Sequence, residues 1–141
     1  MLYVFDTNSI RVLGNYYPER FPSFWQRFEE LVADSSVVSV REVLNELHRQ
    51  SVAQWLQNWV DEHRDIFLTP GAEETEFVRE IFGIPHFRNL IGEMQRLRGY
   101  PVADPFIIAC AKFRNGCVVT EEGFKQHTNM EGFLSRSGWQ F

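Results

Sequence analysis

What most constrains this chain is a rhythm of short apolar runs set between longer segments with helical spacing. Runs at residues 2–5, 37–40, 66–68 and 117–120 have the length and residue types of buried strands. The segments between them are helical in pattern. Residues 7–13 form a short helix ending at Gly14 as C-cap. Pro22-Ser23 opens a helix carried by Phe24, Trp25, Phe28, Leu31 and Val32, which stops near Asp34. Residues 41–50 follow, with Val40, Val43, Leu44 and Leu47 as core face, then residues 51–62 on Val52, Trp55, Leu56, Trp59 and Val60. Residues 72–82 begin with Glu73-Glu74, suited to the positive end of the helix dipole. Gly83-Ile84-Pro85 is a break, residues 87–97 a further helix, and residues 96–101 a basic loop.

The most apolar helix begins at Asp104-Pro105 and runs to Phe113. Asn115-Gly116 is a turn, residues 130–137 a short helix, and residues 139–141 a last strand. Strands alternating with helices specify an α/β sandwich with a parallel sheet. The 141 residues suffice for one domain, 1–141, and show no repeat, linker or low-complexity segment.

Composition narrows the class. A chain that is 44% hydrophobic, with 13 Phe and 4 Trp, is not disordered. No apolar run is long enough to span a membrane, and residues 1–5 are too short for a signal peptide. Cys110 and Cys117 form no C-x-x-C pair, so the expectation is a reduced, cytoplasmic protein. A net charge of -5 argues against a broad nucleic-acid-coating surface but leaves room for a local basic patch.

Acidic residues recur where the chain meets one edge of such a sheet. Asp6 ends the first strand, and Glu121-Glu122 follow a later one. Ligands bind at this carboxyl edge in open α/β sheets. Glu42 and Glu46 share a face of the helix after the second strand, and Asp104 starts the apolar helix. Each has a plain alternative. Asp6 and Asp104 can be helix N-caps. Glu42 stands at the capping-box spacing from Ser39, and Glu46 can be a solvated flank. Taken together, clustered carboxylates need a compensating charge, which a hard divalent cation supplies. The implied chemistry is metal-assisted phosphodiester hydrolysis.

These residues carry a resemblance. Tyr3-Val4-Phe5-Asp6-Thr7-Asn8 resembles the opening strand of PIN domains, which ends in D-T-N or D-x-S. Val38-Ser39-Val40-Arg41-Glu42-Val43-Leu44-Asn45-Glu46-Leu47 is similar to the second PIN motif, which ends in Glu-Leu. Residues 103–111 resemble the third motif, and Val118-Val119-Thr120-Glu121-Glu122 the strand-Thr-x-Asp motif that closes the site. The four motifs occur in order along essentially the whole chain, which resembles in particular the VapC-like ribonuclease toxins and an uncharacterised bacterial branch related to them.

The resemblance implies a three-layer α/β/α sandwich with a short central parallel sheet. It implies Asp6, Glu46, Asp104 and Glu122 as catalytic metal ligands for Mg2+ or Mn2+. Asn8 and Thr120 would orient carboxylates and water, with Glu42 in reserve for Glu46 and Glu121 for Glu122. The fourth position is Glu where Asp is commoner, and residues 71–101 carry no motif that aligns. The implied activity is a metal-dependent endoribonuclease, the toxin of a toxin–antitoxin pair. Its partners would be RNA, a small antitoxin protein and a second copy of the chain. Arg96 and Arg98 are candidate phosphate contacts, with ordinary solvated charge as the alternative. Tyr16, Tyr17, Phe21, Phe24 and Trp25 are candidates for a dimer or antitoxin surface, with plain core as the alternative. Two rival readings remain: a catalytically inactive PIN-like module that binds RNA or protein, and a DNA-directed nuclease of the same fold. The four histidines, His48, His63, His86 and His127, are scattered and read as surface or packing residues; His48 stands nearest Glu46 in sequence.

Overall fold

A computed structural model describes residues 1–98 and 103–121. Strand β1 (Tyr3–Phe5) leads into α1 (Thr7–Leu13) and α2 (Pro22–Ala33). Strand β2 (Val37–Val40) is followed by α3 (Arg41–Arg49) and α4 (Gln54–Glu62). A 3-10 turn at Arg64–Ile66 enters β3 (Phe67–Leu68). Helices α5 (Ala72–Gly83), α6 (Pro85–Arg98) and α7 (Asp104–Phe113) precede β4 (Cys117–Val119).

The four strands form one all-parallel sheet in the order β3-β2-β1-β4. Every residue of β2 is buried, as befits a parallel strand covered on both faces. The chain moves outward from β1 to β2 and β3, then crosses back to place β4 on the other side of β1. The gap between β1 and β4 is therefore the topological switch point, and the crevice outside their carboxyl ends is where such sheets bind ligands. The right-handed rule for parallel crossovers predicts α1 to α4 on one face of a sheet with this order and α5 to α7 on the other. The packing agrees: α3 lies against α1 and α4, and α5 against α6 and α7.

The α7 face of the core is built from small residues. Ala109, Cys110 and Ala111 are fully or almost fully buried, letting α7 approach β1 and β2 closely while α5 packs on its other side. On the opposite face, aromatic rings do the filling. Trp25 meets Phe28, Trp55 and Trp59 with ring centroids 5.5 to 5.8 Å apart.

Some boundaries differ from the sequence expectation. Helix α4 begins at Gln54 rather than residue 51, and α6 begins at Pro85 rather than 87. Arg96 and Arg98 belong to α6 and not to a basic loop. Gly14 caps α1 with ordinary right-handed geometry, φ -60°, not the left-handed cap that glycine permits. The expected helix at 130–137 and strand at 139–141 lie outside the described residues. Among the described residues, no helix is long and apolar enough to cross a membrane.

Helices α2 and α7 both hand over to a strand through a left-handed residue, Ser35 at φ 66° and Asn115 at φ 55°. After α2, Ser36 N–H reaches Leu31 O at 2.9 Å and Ser35 N–H reaches Val32 O at 3.1 Å, the Schellman pattern. Asn tolerates this conformation, whereas serine is an L-residue in a region glycine occupies without strain. Ser35→Gly is expected to stabilise the protein by about 1 kcal/mol, net of the greater unfolded-state freedom of glycine. A higher urea midpoint at constant m-value is the readout.

Candidate functional site

Two of the acidic residues that the motifs single out are linked to the switch-point end of the sheet: Asp6 follows β1, and Glu46 bonds the residue after Asp6. Asp6 leaves the end of β1 and is half-buried. Its N–H donates to Val119 O at 3.2 Å, and its Oδ1 accepts from Ser9 N–H at 2.8 Å, so it caps α1. Ser9 Oγ donates to Val119 O at 2.9 Å, tying α1 to the end of β4. The Phe5↔Val119 register sets Asp6 level with Thr120 across the switch point. Thr120 and Glu121 are exposed there. Glu122 lies outside the described residues.

Glu46 is the hinge of the arrangement. At 2% exposure, this carboxylate is removed from water and needs donors. Thr7 Oγ1 donates to Oε2, and Ala103 N–H donates to Oε1 at 3.2 Å. Thr7 directly follows Asp6, and Ala103 directly precedes Asp104. One buried side chain thus holds the starts of α1 and α7 together, bringing the backbones that carry Asp6 and Asp104 to the same edge. The alternative of a solvated flank for Glu46 is excluded by its burial.

Asp104 is the first residue of α7, with Ala103 in the cap position, so it does not act as the N-cap. Its charge still suits the positive end of the helix dipole. Glu42 is not part of a capping box. Val40 is the cap residue of α3, and Ser39 Oγ instead donates to Phe5 O at 2.6 Å, stitching β2 to β1. Glu42 is nonetheless buried: Oε1 accepts from Arg41 Nη2 at 3.1 Å, while Oε2 is buried without a hydrogen-bond partner.

In the Asp6-Thr7-Asn8 turn it is Thr7 that touches a carboxylate, and Asn8 is exposed. The signal was present in the sequence: Thr7 stands three residues before Ile10, on the core face of α1. Among the described residues, no three histidine, cysteine, aspartate or glutamate side chains stand close enough together to hold a metal ion. The side chains of Arg96 and Arg98 fall outside the description.

Other polar residues are structural ties. His48 is exposed and bonds Asp61 at 2.9 Å, which together with Gln57 holds the Asp61 carboxyl below its ordinary range. His63 stacks on Trp59 at 4.2 Å and faces Glu29 at 3.5 Å. Trp25 is core, whereas Tyr16, Tyr17, Phe21 and Phe24 are exposed. His127 lies outside the described residues.

The sequence reading missed one buried ion pair. Glu74 on α5, 4% exposed, accepts from Arg114 Nε at 2.9 Å, just past the end of α7. Glu74 stands three and four residues before the buried Phe77 and Val78, a spacing that marks its face. The pair neighbours Cys110, whose thiol is pushed up to about 11, first by burial and then by the Glu74 charge. Cys117 is exposed. Iodoacetamide at pH 8 is expected to modify Cys117 in the native protein and Cys110 only on unfolding, as read by mass spectrometry. Equal rates for both thiols would show that the core around α7 is open.

A family model described as a domain of unknown function (DUF4411) matches residues 3–133. The comparison with curated proteins and that with solved structures give no match.

Proposed function

The chain belongs to the DUF4411 family, and we propose that it is a metal-dependent endoribonuclease of the PIN type, the toxin of a toxin–antitoxin pair. The observation that carries this reading is the Glu46 carboxylate, bonded at once to the residue after Asp6 and the residue before Asp104. The parallel sheet, with its switch point between β1 and β4, is compatible with a PIN-like fold.

The donor set fits a hard divalent cation in type, since it consists of carboxylate oxygens. Glu42 Oε2 adds a buried oxygen without a donor. The described acids do not by themselves assemble three ligands, and the assignment includes Glu122 beyond them. Asp6, Glu46, Asp104 and Glu122 would hold Mg2+ or Mn2+. When bound, such an ion lowers the pKa of a water and offsets charge on a phosphate. The chain's own part is placement. The Asp6 cap and the Ser9 tie fix the end of β1, Thr7 and Ala103 fix Glu46, and the α7 N-terminus adds positive potential where an RNA phosphate would approach. Thr120, Glu121 and Asn8 line the exposed rim, where substrate and water are oriented. Arg96 and Arg98 are proposed for RNA phosphates, and a small antitoxin and a second copy of the chain are the proposed protein partners.

The competing reading, a catalytically inactive PIN-like module that binds RNA or protein, draws on the exposed Tyr16, Tyr17, Phe21 and Phe24. Incubation of purified protein with single-stranded RNA and, separately, DNA tests the enzyme reading. RNA cleavage with Mg2+ or Mn2+ and its loss with chelator are expected. Intact RNA with both metals would reject the enzyme in favour of the binding module, and cleavage of DNA alone would reassign the substrate.

A further inference from the structure

Four aromatic side chains in the loop after α1 and the first turn of α2 are exposed by 38 to 47%: Tyr16, Tyr17, Phe21 and Phe24. They form one surface. The Tyr16 ring lies 5.2 Å from Phe21 and 5.3 Å from Phe24, centroid to centroid, and Tyr17 leans on Trp55 at 5.6 Å. Buried Trp25 joins the two groups through contacts with Phe24 and Trp55, and its indole N–H donates to Tyr16 O. Rings held in water on a fixed floor mark a contact surface.

Charge says what kind of partner fits. The chain carries a net charge of -5, yet between residues 11 and 28 three arginines, Arg11, Arg20 and Arg27, stand against one acid, Glu19. The arginines are exposed. Arg20 falls between Tyr17 and Phe21, and Arg27 neighbours Phe24 on α2, three residues on. The two acids that follow are engaged: Glu29 accepts from Trp59 Nε1 at 2.7 Å, and Glu30 pairs with Arg27 at 3.0 Å. Neither Arg11 nor Arg20 has an ion pair among the described residues. A symmetric pair of chains would bury the same patch on both copies and set like charges against each other. A single strand of nucleic acid offers what the patch lacks, unpaired bases to stack on the rings and phosphates for the arginines.

We propose that this surface is a stacking platform for single-stranded RNA, with bases on Tyr16, Phe21 and Phe24 and phosphates on Arg20 and Arg27. Only the choice of RNA over DNA rests on the function proposed above; the platform itself needs neither metal nor cleavage.

Fluorescence anisotropy of the full chain with a short labelled single-stranded RNA, in EDTA so that no metal-dependent cleavage intervenes, tests this. Wild type is expected to bind the strand and to bind an abasic strand of the same length more weakly. Phe21→Ala and Phe24→Ala are each expected to weaken binding at least about 5-fold with the salt dependence unchanged, and Phe21→Tyr to retain it. Arg20→Gln is expected to weaken binding and to flatten the log–log salt slope by about 0.7. If Phe24→Ala does not fold, Phe21→Ala and Arg20→Gln decide. Full affinity in both of these overturns the platform, as does equal binding of the abasic strand or no binding by wild type. A dimer in sedimentation that Phe21→Ala abolishes at unchanged RNA affinity overturns it in favour of self-association. Cleavage with Mg2+ or Mn2+, measured separately, decides the nuclease reading: binding through the rings without cleavage upholds the platform while that reading falls.

Discussion

Asp6→Asn and Asp104→Asn are each expected to lower metal-dependent RNA cleavage by at least about 100-fold while leaving the fold intact. The substitution at Asp6 separates two roles that one residue performs. As a cap, Asp6 offers Oδ1 to Ser9 N–H at 2.8 Å. Asparagine keeps that oxygen and is as good an N-cap, so stability should change by only a few tenths of a kcal/mol. As a ligand, Asp6 offers negative charge, which asparagine removes. Asp104 is not the N-cap of α7, and its negative charge on the first turn is favourably placed by about 0.3 to 1 kcal/mol. Activity and stability should therefore part company in both variants. Full-rate cleavage by a folded Asp6→Asn protein would leave Asp6 as a helix cap and nothing more.

The largest loss of stability is expected far from that edge, in Arg114→Ala. Glu74 is almost wholly buried, and Arg114 supplies its counter-charge at 2.9 Å. Removing the cation strands a carboxylate in the contact between α5 and α7. Breaking a buried pair this way costs about 3–5 kcal/mol. The Arg114 side chain is 36% exposed, so solvent screening brings the expectation down to about 2–3 kcal/mol. Replacing both residues by leucine should recover most of that loss, because the desolvation of Glu74 disappears with it. Urea midpoints of the two variants provide the comparison. A loss below about 0.5 kcal/mol in Arg114→Ala would mean that Glu74 is solvated in solution.

Periodicity carried most of the elements. Residues 22–34 announce α2 through Phe24, Trp25 and Phe28, and β2 reads as a strand because all four of its residues are buried. Strand order is different in kind. That β4 lies beside β1 follows from crossover geometry, which no local pattern records. The same division holds at the site. Asp6, Glu46 and Asp104 stood out by type and spacing. The group that joins Glu46 to α7 is the Ala103 backbone N–H, which leaves no mark in a sequence.

Two readings failed for local physical reasons. Ser39 stands at the capping-box distance from Glu42, but β2 runs on to Val40 and turns the Ser39 hydroxyl toward Phe5 O. The sequence reads as a basic loop from residue 96, yet the helical order of α6 persists through Arg98. The exposed aromatics show a further limit. Helix α2 and the loop before it carry aromatic residues on more than one side, so spacing alone does not tell the exposed Tyr16 and Phe24 from the buried Trp25 and Phe28.

The central claim is that carboxylates from separate parts of the chain form one cation site outside β1 and β4. An anomalous difference map from crystals grown with MnCl2 tests it most directly. The account predicts a Mn2+ peak at the carboxyl edge of the sheet, in contact with the Asp6 and Asp104 carboxylates. Crystals of active protein with no peak at that edge, or with Mn2+ bound only elsewhere, would contradict it.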